Sequence, residues 1–166
     1  MAEESLPPTP VMKEREQRHS FPIITKIVQV LLAVLIIGLI VDPFNSHLKI
    51  LNYPKRNLDD VAIVYISVGG YLLINGIFII GYILGDRIPK KTSIIFSAVG
   101  FCLHIGAASV MVHKWRKMTG SYIDYQSNNA VYSSKQYNDM LISGAVFTFI
   151  NAIIFAADVL ITMRFT

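Results

Sequence analysis

Polar and apolar positions along this chain do not alternate; they come in blocks. Four apolar blocks cover residues about 23–41, 61–85, 93–112 and 141–163, with polar stretches between them. Crossing a hydrocarbon core of about 30 Å takes roughly 20 helical residues, and each block has that length. Backbone amides in lipid must be satisfied within the protein, which leaves helices or a closed barrel. Barrel strands alternate in polarity and these blocks do not. The reading is an all-α membrane protein, a four-transmembrane-helix bundle in residues 21–166. An even number of crossings puts both termini on the same side.

The block boundaries carry helix-end chemistry. Asp59 and Asp60 stand where the second helix begins, and acidic groups favour the positive end of the helix dipole. Thr92 or Ser93 suits the cap of the third helix and Asn138 or Asp139 that of the fourth, while Gly85 suits the end of the second. Residues 1–20 contain Pro7, Pro8, Pro10 and a mixed-charge run, and read as a disordered N-terminal tail. The block beginning near Phe21 is too long for a signal-peptide core.

Composition agrees with lipid as the solvent. Hydrophobic residues make up 53% of the 166 positions and charged residues 16%, against roughly 25% charged in an average soluble domain. The net charge of +4 lies between the apolar blocks, where basic residues commonly set topology, so no nucleic-acid partner is expected. Basic residues divide almost evenly between the two sides. The stretch Asp86-Arg87-Ile88-Pro89-Lys90-Lys91 is the tightest link and dense in positive charge, which favours cytoplasmic ends. The longer connections, about 42–60 and 113–140, then face outward. The second of these holds Tyr122, Tyr125, Tyr132 and Tyr137, a composition that suits protein contact and a plain solvated loop alike. Cys102 is the single cysteine, so no intramolecular disulfide forms and claudin- or tetraspanin-type loops are excluded.

Candidate chemistry is confined to the polar residues inside the blocks, which are costly in hydrocarbon and usually face the bundle interior. Asn75, His104 and Asn151 fall near the middle of their helices. Gly144, Asn151 and Asp158 repeat every seven residues and share one stripe of the fourth helix, as Ser97, Gly100, His104 and Ala107 do on the third. An Asp at the bilayer centre costs about 2.5–3.5 kcal/mol, less toward the edge. Lys26 lies at a depth similar to that of Asp158, so an interhelical Lys26–Asp158 contact is expected; snorkelling of Lys26 alone is the alternative. For the mid-span residues, hydrogen bonds across the bundle are the leading reading. A polar path for a proton or small solute is the competing one, and only His104 is ionisable at that depth.

Gly76, Gly81, Gly85, Gly100 and Gly144 supply small surfaces for helix packing, within one chain by default or between copies in a homo-oligomer. No phosphate-cradling loop, metal-binding histidine pair or nucleophile motif is present. No catalytic residue, cofactor or metal is therefore expected.

The stripe Gly144…Asn151…Asp158, the stretch from Val99-Gly100 through Ala107 to Trp115, the short inner link and the near-absence of chain after the last helix form a pattern. It resembles the MARVEL-like membrane proteins and, within them, the insect snakeskin-type proteins of septate junctions, over about residues 22–164. The resemblance implies a non-enzymatic protein at lateral cell–cell contacts of the plasma membrane. It would cluster in the bilayer and help other junctional membrane proteins assemble an epithelial occluding barrier. A small channel or transporter subunit with a path past His104 and Asp158, and a membrane-trafficking tetraspan, are the alternatives.

Overall fold

A computed structural model describes residues 23–41, 58–86 and 89–165. The N-terminal tail, the first outer loop at 42–57 and residues 121–133, with Tyr122, Tyr125 and Tyr132, lie outside the described residues. Four helices account for nearly all of the rest: α1 (Ile23–Val41), then α2 (Leu58–Ile83), α3 (Lys90–Gly120) and α4 (Ser134–Phe165). Each contains a span long and apolar enough to cross a membrane.

α3 and α4 run well past their apolar blocks. Residues 113–120 and 134–140, expected in the second outer loop, are helical. Backbone hydrogen bonding does not stop where the hydrocarbon does; polar side chains such as His113, Lys114 and Arg116 continue the helix into the wetter zone. The caps shift accordingly. α3 is started by Pro89, whose carbonyl accepts from Ser93 N–H at 3.1 Å, so Thr92 and Ser93 are inside the helix. Asn138 and Asp139 are likewise interior to α4.

α2 ends as its glycine suggests. Gly85 has φ of 85°, the left-handed conformation that only glycine adopts without strain. Its N–H donates to Tyr82 O at 3.1 Å, and Asp86 N–H donates to Gly81 O at 2.9 Å. These two bonds are a Schellman cap, which satisfies two otherwise orphaned carbonyls.

The helices alternate in direction. Near the start of α1, Lys26 reaches Ser97 early in α3 and Asp158 late in α4. At the other end of α1, Ile40 lies against Gly144 early in α4. Buried positions recur every three or four residues: 26, 29, 33, 36 and 40 on α1; 64, 68, 71 and 75 on α2; 97, 100, 104, 107 and 111 on α3. On α4 they include 141, 144, 148, 151, 155, 158 and 162, with 145 and 152 beside them. This spacing keeps one face of each helix on the bundle axis.

The core is divided along that axis. One half is apolar, built from Ala33, Ile36, Ile40, Val64, Val68, Ala107, Met111, Leu141 and Ala145. The other half, nearer the α2–α3 link, buries Lys26, Gln29, Asn75, Ser97, His104, Asn151 and Asp158. The outer surface is the reverse of a soluble protein's. Leu31, Ile66, Leu73, Ile153 and Leu160 all point outward, where lipid tails solvate them.

Close helix approach explains two of the five glycines. A Cβ on Gly100 would stand 2.6 Å from Tyr71 Cε1 and 2.9 Å from the Phe155 ring, and one on Gly144 would be 2.8 Å from Ile40 Cγ2. Gly76 has nothing within 4 Å, and the nearest atom to Gly81 is Asp86 O at 3.9 Å. Among the described residues, Gly76, Gly81 and Gly85 therefore make no close helix contact within the chain, the default expected of them, which leaves contact between copies. The first has open space in front of it, and the other two belong to the α2 cap.

Candidate functional site

The polar half of the core centres on Asp158. Lys26 Nζ lies 2.7 Å from Asp158 Oδ2, with both side chains at 5% exposure or less. Ser97 Oγ donates to the same oxygen, and Thr25 Oγ1 donates to Oδ1. Lys26 also donates to Ser97 Oγ at 2.9 Å. The carboxylate thus accepts from three donors on two helices, while Ser97 both accepts and donates. The ammonium is further flanked by the rings of Phe78 and Phe155, with centroids 5.3 and 5.8 Å away, close enough for cation–π attraction. Lys26 does not snorkel; its head is turned inward.

Helical repeat explains how these residues meet. Lys26 sits about one turn inside α1, and Asp158 lies about one turn beyond Phe155 and two turns beyond Asn151 on the inward stripe of α4. Ser97 leads the buried stripe of α3. A charge pair this deep is costly to assemble, because each ion loses hydration; mutual attraction and the added hydroxyl donors offset that cost. Similar depth suggested the Lys26–Asp158 contact beside the alternative of a snorkelling Lys26, and did not choose between them. The hydroxyl partners Thr25 and Ser97 were not, although Ser97's place seven residues before His104 put it on the correct stripe.

An aromatic cluster lies beside the ion pair. Tyr71 and Phe155 meet edge-on at 5.2 Å between centroids, Tyr71 and His104 at 5.6 Å, and His104 and Phe155 at 4.7 Å. Tyr71 OH donates to Phe96 O at 3.0 Å, which satisfies its one donor. His104 Nδ1 is 2.9 Å from Gly100 O on its own helix.

The mid-span polar residues are inside, but not as expected. Asn75, His104 and Asn151 are each at least 98% buried. Among the described residues none makes a hydrogen bond to another helix: Asn75 Oδ1, His104 Nε2 and both Asn151 amide atoms lack partners. The rings of Tyr71 and Phe155 pack against His104 at that level. Gln29, which the sequence marked only as an interruption in the first block, joins them: fully buried, with both amide atoms unpartnered. Its spacing of three from Lys26 was the available signal.

At the opposite end, Lys114 Nζ stands 3.8 Å from Asp60 Oδ2 in a partly exposed pair. Among the described residues, no group of three or more His, Cys, Asp or Glu is placed to hold a metal ion.

The sequence profile of MARVEL, a membrane-associating domain, matches residues 19–161. The chain belongs to the MARVEL family. The match reaches all four helices and takes in Lys26, Ser97 and Asp158, so those charges sit within the family's domain. It identifies a multi-pass integral membrane protein whose outer face contacts the lipid bilayer. No curated protein and no solved structure matches the chain.

Proposed function

We propose that this MARVEL protein is a non-enzymatic membrane scaffold that clusters laterally at cell–cell contacts of an epithelium and supports an occluding, septate-type junction. The observation that carries the scaffold reading is the closed ion pair. Lys26 and Asp158 neutralise each other at the bundle axis, with hydroxyls from α1 and α3 completing the carboxylate shell. Charges that neutralise each other in this way hold helices together, and among the described residues no other Lys, Arg, Asp or Glu is buried in the bundle. The junctional setting rests on the resemblance to snakeskin-type proteins carried by Gly144, Asn151 and Asp158, all three of which face the bundle interior.

In this reading both termini are cytoplasmic. The end of the bundle bearing Lys90, Lys91 and Arg164 lies at the inner leaflet, and the connections after α1 and α3 face the neighbouring cell. Partners are other junctional membrane proteins and further copies of the chain. The deciding experiment is imaging in a polarised epithelium with a tag on the N-terminal tail, before and after permeabilisation. Tag access only after permeabilisation, with signal at lateral borders, is the expected result. Access on intact cells overturns the orientation. Vesicular signal transfers the protein to membrane trafficking, and apical signal to transport past His104 and Asp158.

A further inference from the structure

The ion pair accounts for Lys26, Ser97 and Asp158 but not for the polar groups beneath it. Gln29 on α1, Asn75 on α2, His104 on α3 and Asn151 on α4 come one from each helix, and all occupy axis-facing positions. Each is at least 98% buried, and together they present six polar atoms with no partner among the described residues. They fall on two adjacent turns of the bundle. Gln29 is one turn from Lys26 and Asn75 one turn from Phe78, whose ring faces that ammonium, while His104 and Asn151 are each seven residues from the bonded pair Ser97 and Asp158. Phe155 touches both the Lys26 ammonium and the His104 ring.

The chemistry of the group narrows its ligand. His104 Nδ1 faces the Gly100 carbonyl, which can only accept, so Nδ1 carries the hydrogen. In the neutral ring Nε2 then presents a lone pair and needs a donor. Tyr71 OH is engaged with Phe96 O and does not supply it. The amides of Gln29 and Asn151 present both donors and acceptors. A ligand that serves this set must donate and accept from one small atom, which is the chemistry of a hydroxyl. A lipid hydroxyl would have to enter from the bilayer, and side chains this well covered give it no approach. Buried polar groups of this kind are ordinarily satisfied by internal water making two to four hydrogen bonds.

We propose that Gln29, Asn75, His104 and Asn151 form an internal hydration site, in which water donates to His104 Nε2 and bridges the amides of the other three helices. The site is independent of the junctional reading: it is a property of the bundle wherever the protein resides. It makes the polar half of the core a water-bridged layer between the dry ion pair and the apolar half.

The test is water-edited solid-state NMR on the full chain in lipid bilayers, with ¹⁵N in His, Asn and Gln side chains and ¹³C in Ile and Val methyls. The His104 signal is assigned by its loss in His104→Phe. Magnetisation from water protons is expected to reach His104 Nε2 and the Asn151 and Gln29 amides at least threefold faster than the methyls of Ile36 and Val68. In Asn151→Leu, transfer to His104 should fall at least twofold while the protein stays helical. Transfer to His104 as slow as to Val68 in the unaltered protein overturns the proposal, and that result needs no variant to fold. Fast transfer that persists unchanged in a helical Asn151→Leu also overturns it as a shared site.

Discussion

At the residue scale the decisive pair is Lys26 and Asp158. Removing one partner of a buried ion pair strands the other charge, which typically costs about 3–5 kcal/mol, whereas replacing both with apolar groups is often far less damaging. Lys26→Met and Asp158→Leu should each lower stability sharply, and the double variant should be more stable than either. Denaturant titration of the three variants in bicelles measures this directly. Additive losses would mean that the two charges do not depend on each other. The glycines offer a second contrast. A Cβ on Gly100 collides with Tyr71 and Phe155, so Gly100→Ala should cost about 1–3 kcal/mol through overpacking. Gly76 faces open space, and Gly76→Ala should stay within about 0.5 kcal/mol of the parent, as surface changes usually do. The same titration separates them. Sequence spacing marked both glycines alike; only the neighbouring helix distinguishes them.

At the scale of the element, each helix has one face on the axis and the rest in lipid. α4 shows this within three residues: Phe155 is fully buried against Tyr71 and His104, while Ile153 is 65% exposed to the bilayer. Phe155→Ala should destabilise the protein by about 3–5 kcal/mol. Ile153→Ala removes a side chain that lipid solvates in folded and unfolded spans alike, and should leave thermal stability nearly unchanged. Equal effects at the two positions would contradict the assigned faces. The stripes on α3 and α4 were readable as heptad-spaced small and polar residues. The helix ends were not, because polar side chains carry α3 and α4 beyond the apolar blocks that a hydropathy reading follows.

For the whole molecule, the antiparallel order gathers the start of α1, the end of α2, the start of α3 and the end of α4 at one end of the bundle, where the ion pair lies. Lys90 at that end also donates to Met163 O at 3.2 Å, tying the α2–α3 link to the last turns of α4. With cytoplasmic termini, that end faces inward. In a Cys102→Ser background, a cysteine replacing Asp86 should react with a membrane-impermeant maleimide only after permeabilisation, and one replacing His113 on intact cells. The reverse labelling inverts the bundle. Asp86 and His113 are both exposed, at opposite ends, so the comparison reports sidedness and not burial.

Block hydrophobicity was by itself enough to determine four membrane-spanning helices, because lipid admits few other backbone solutions and length follows from bilayer thickness. It also placed Lys26 and Asp158 at one depth, since rise per residue is constant in a helix. What only the tertiary structure decided is which polar groups meet. Thr25 and Ser97 complete the Asp158 shell, while Asn75, His104 and Asn151 face inward yet, among the described residues, form no bond across the bundle. Periodicity fixes a side chain's face, but whether a partner or an aromatic ring stands opposite depends on helix separation and register. Those are set by side chains distant in sequence, such as Phe155 against Gly100 and Ile40 against Gly144.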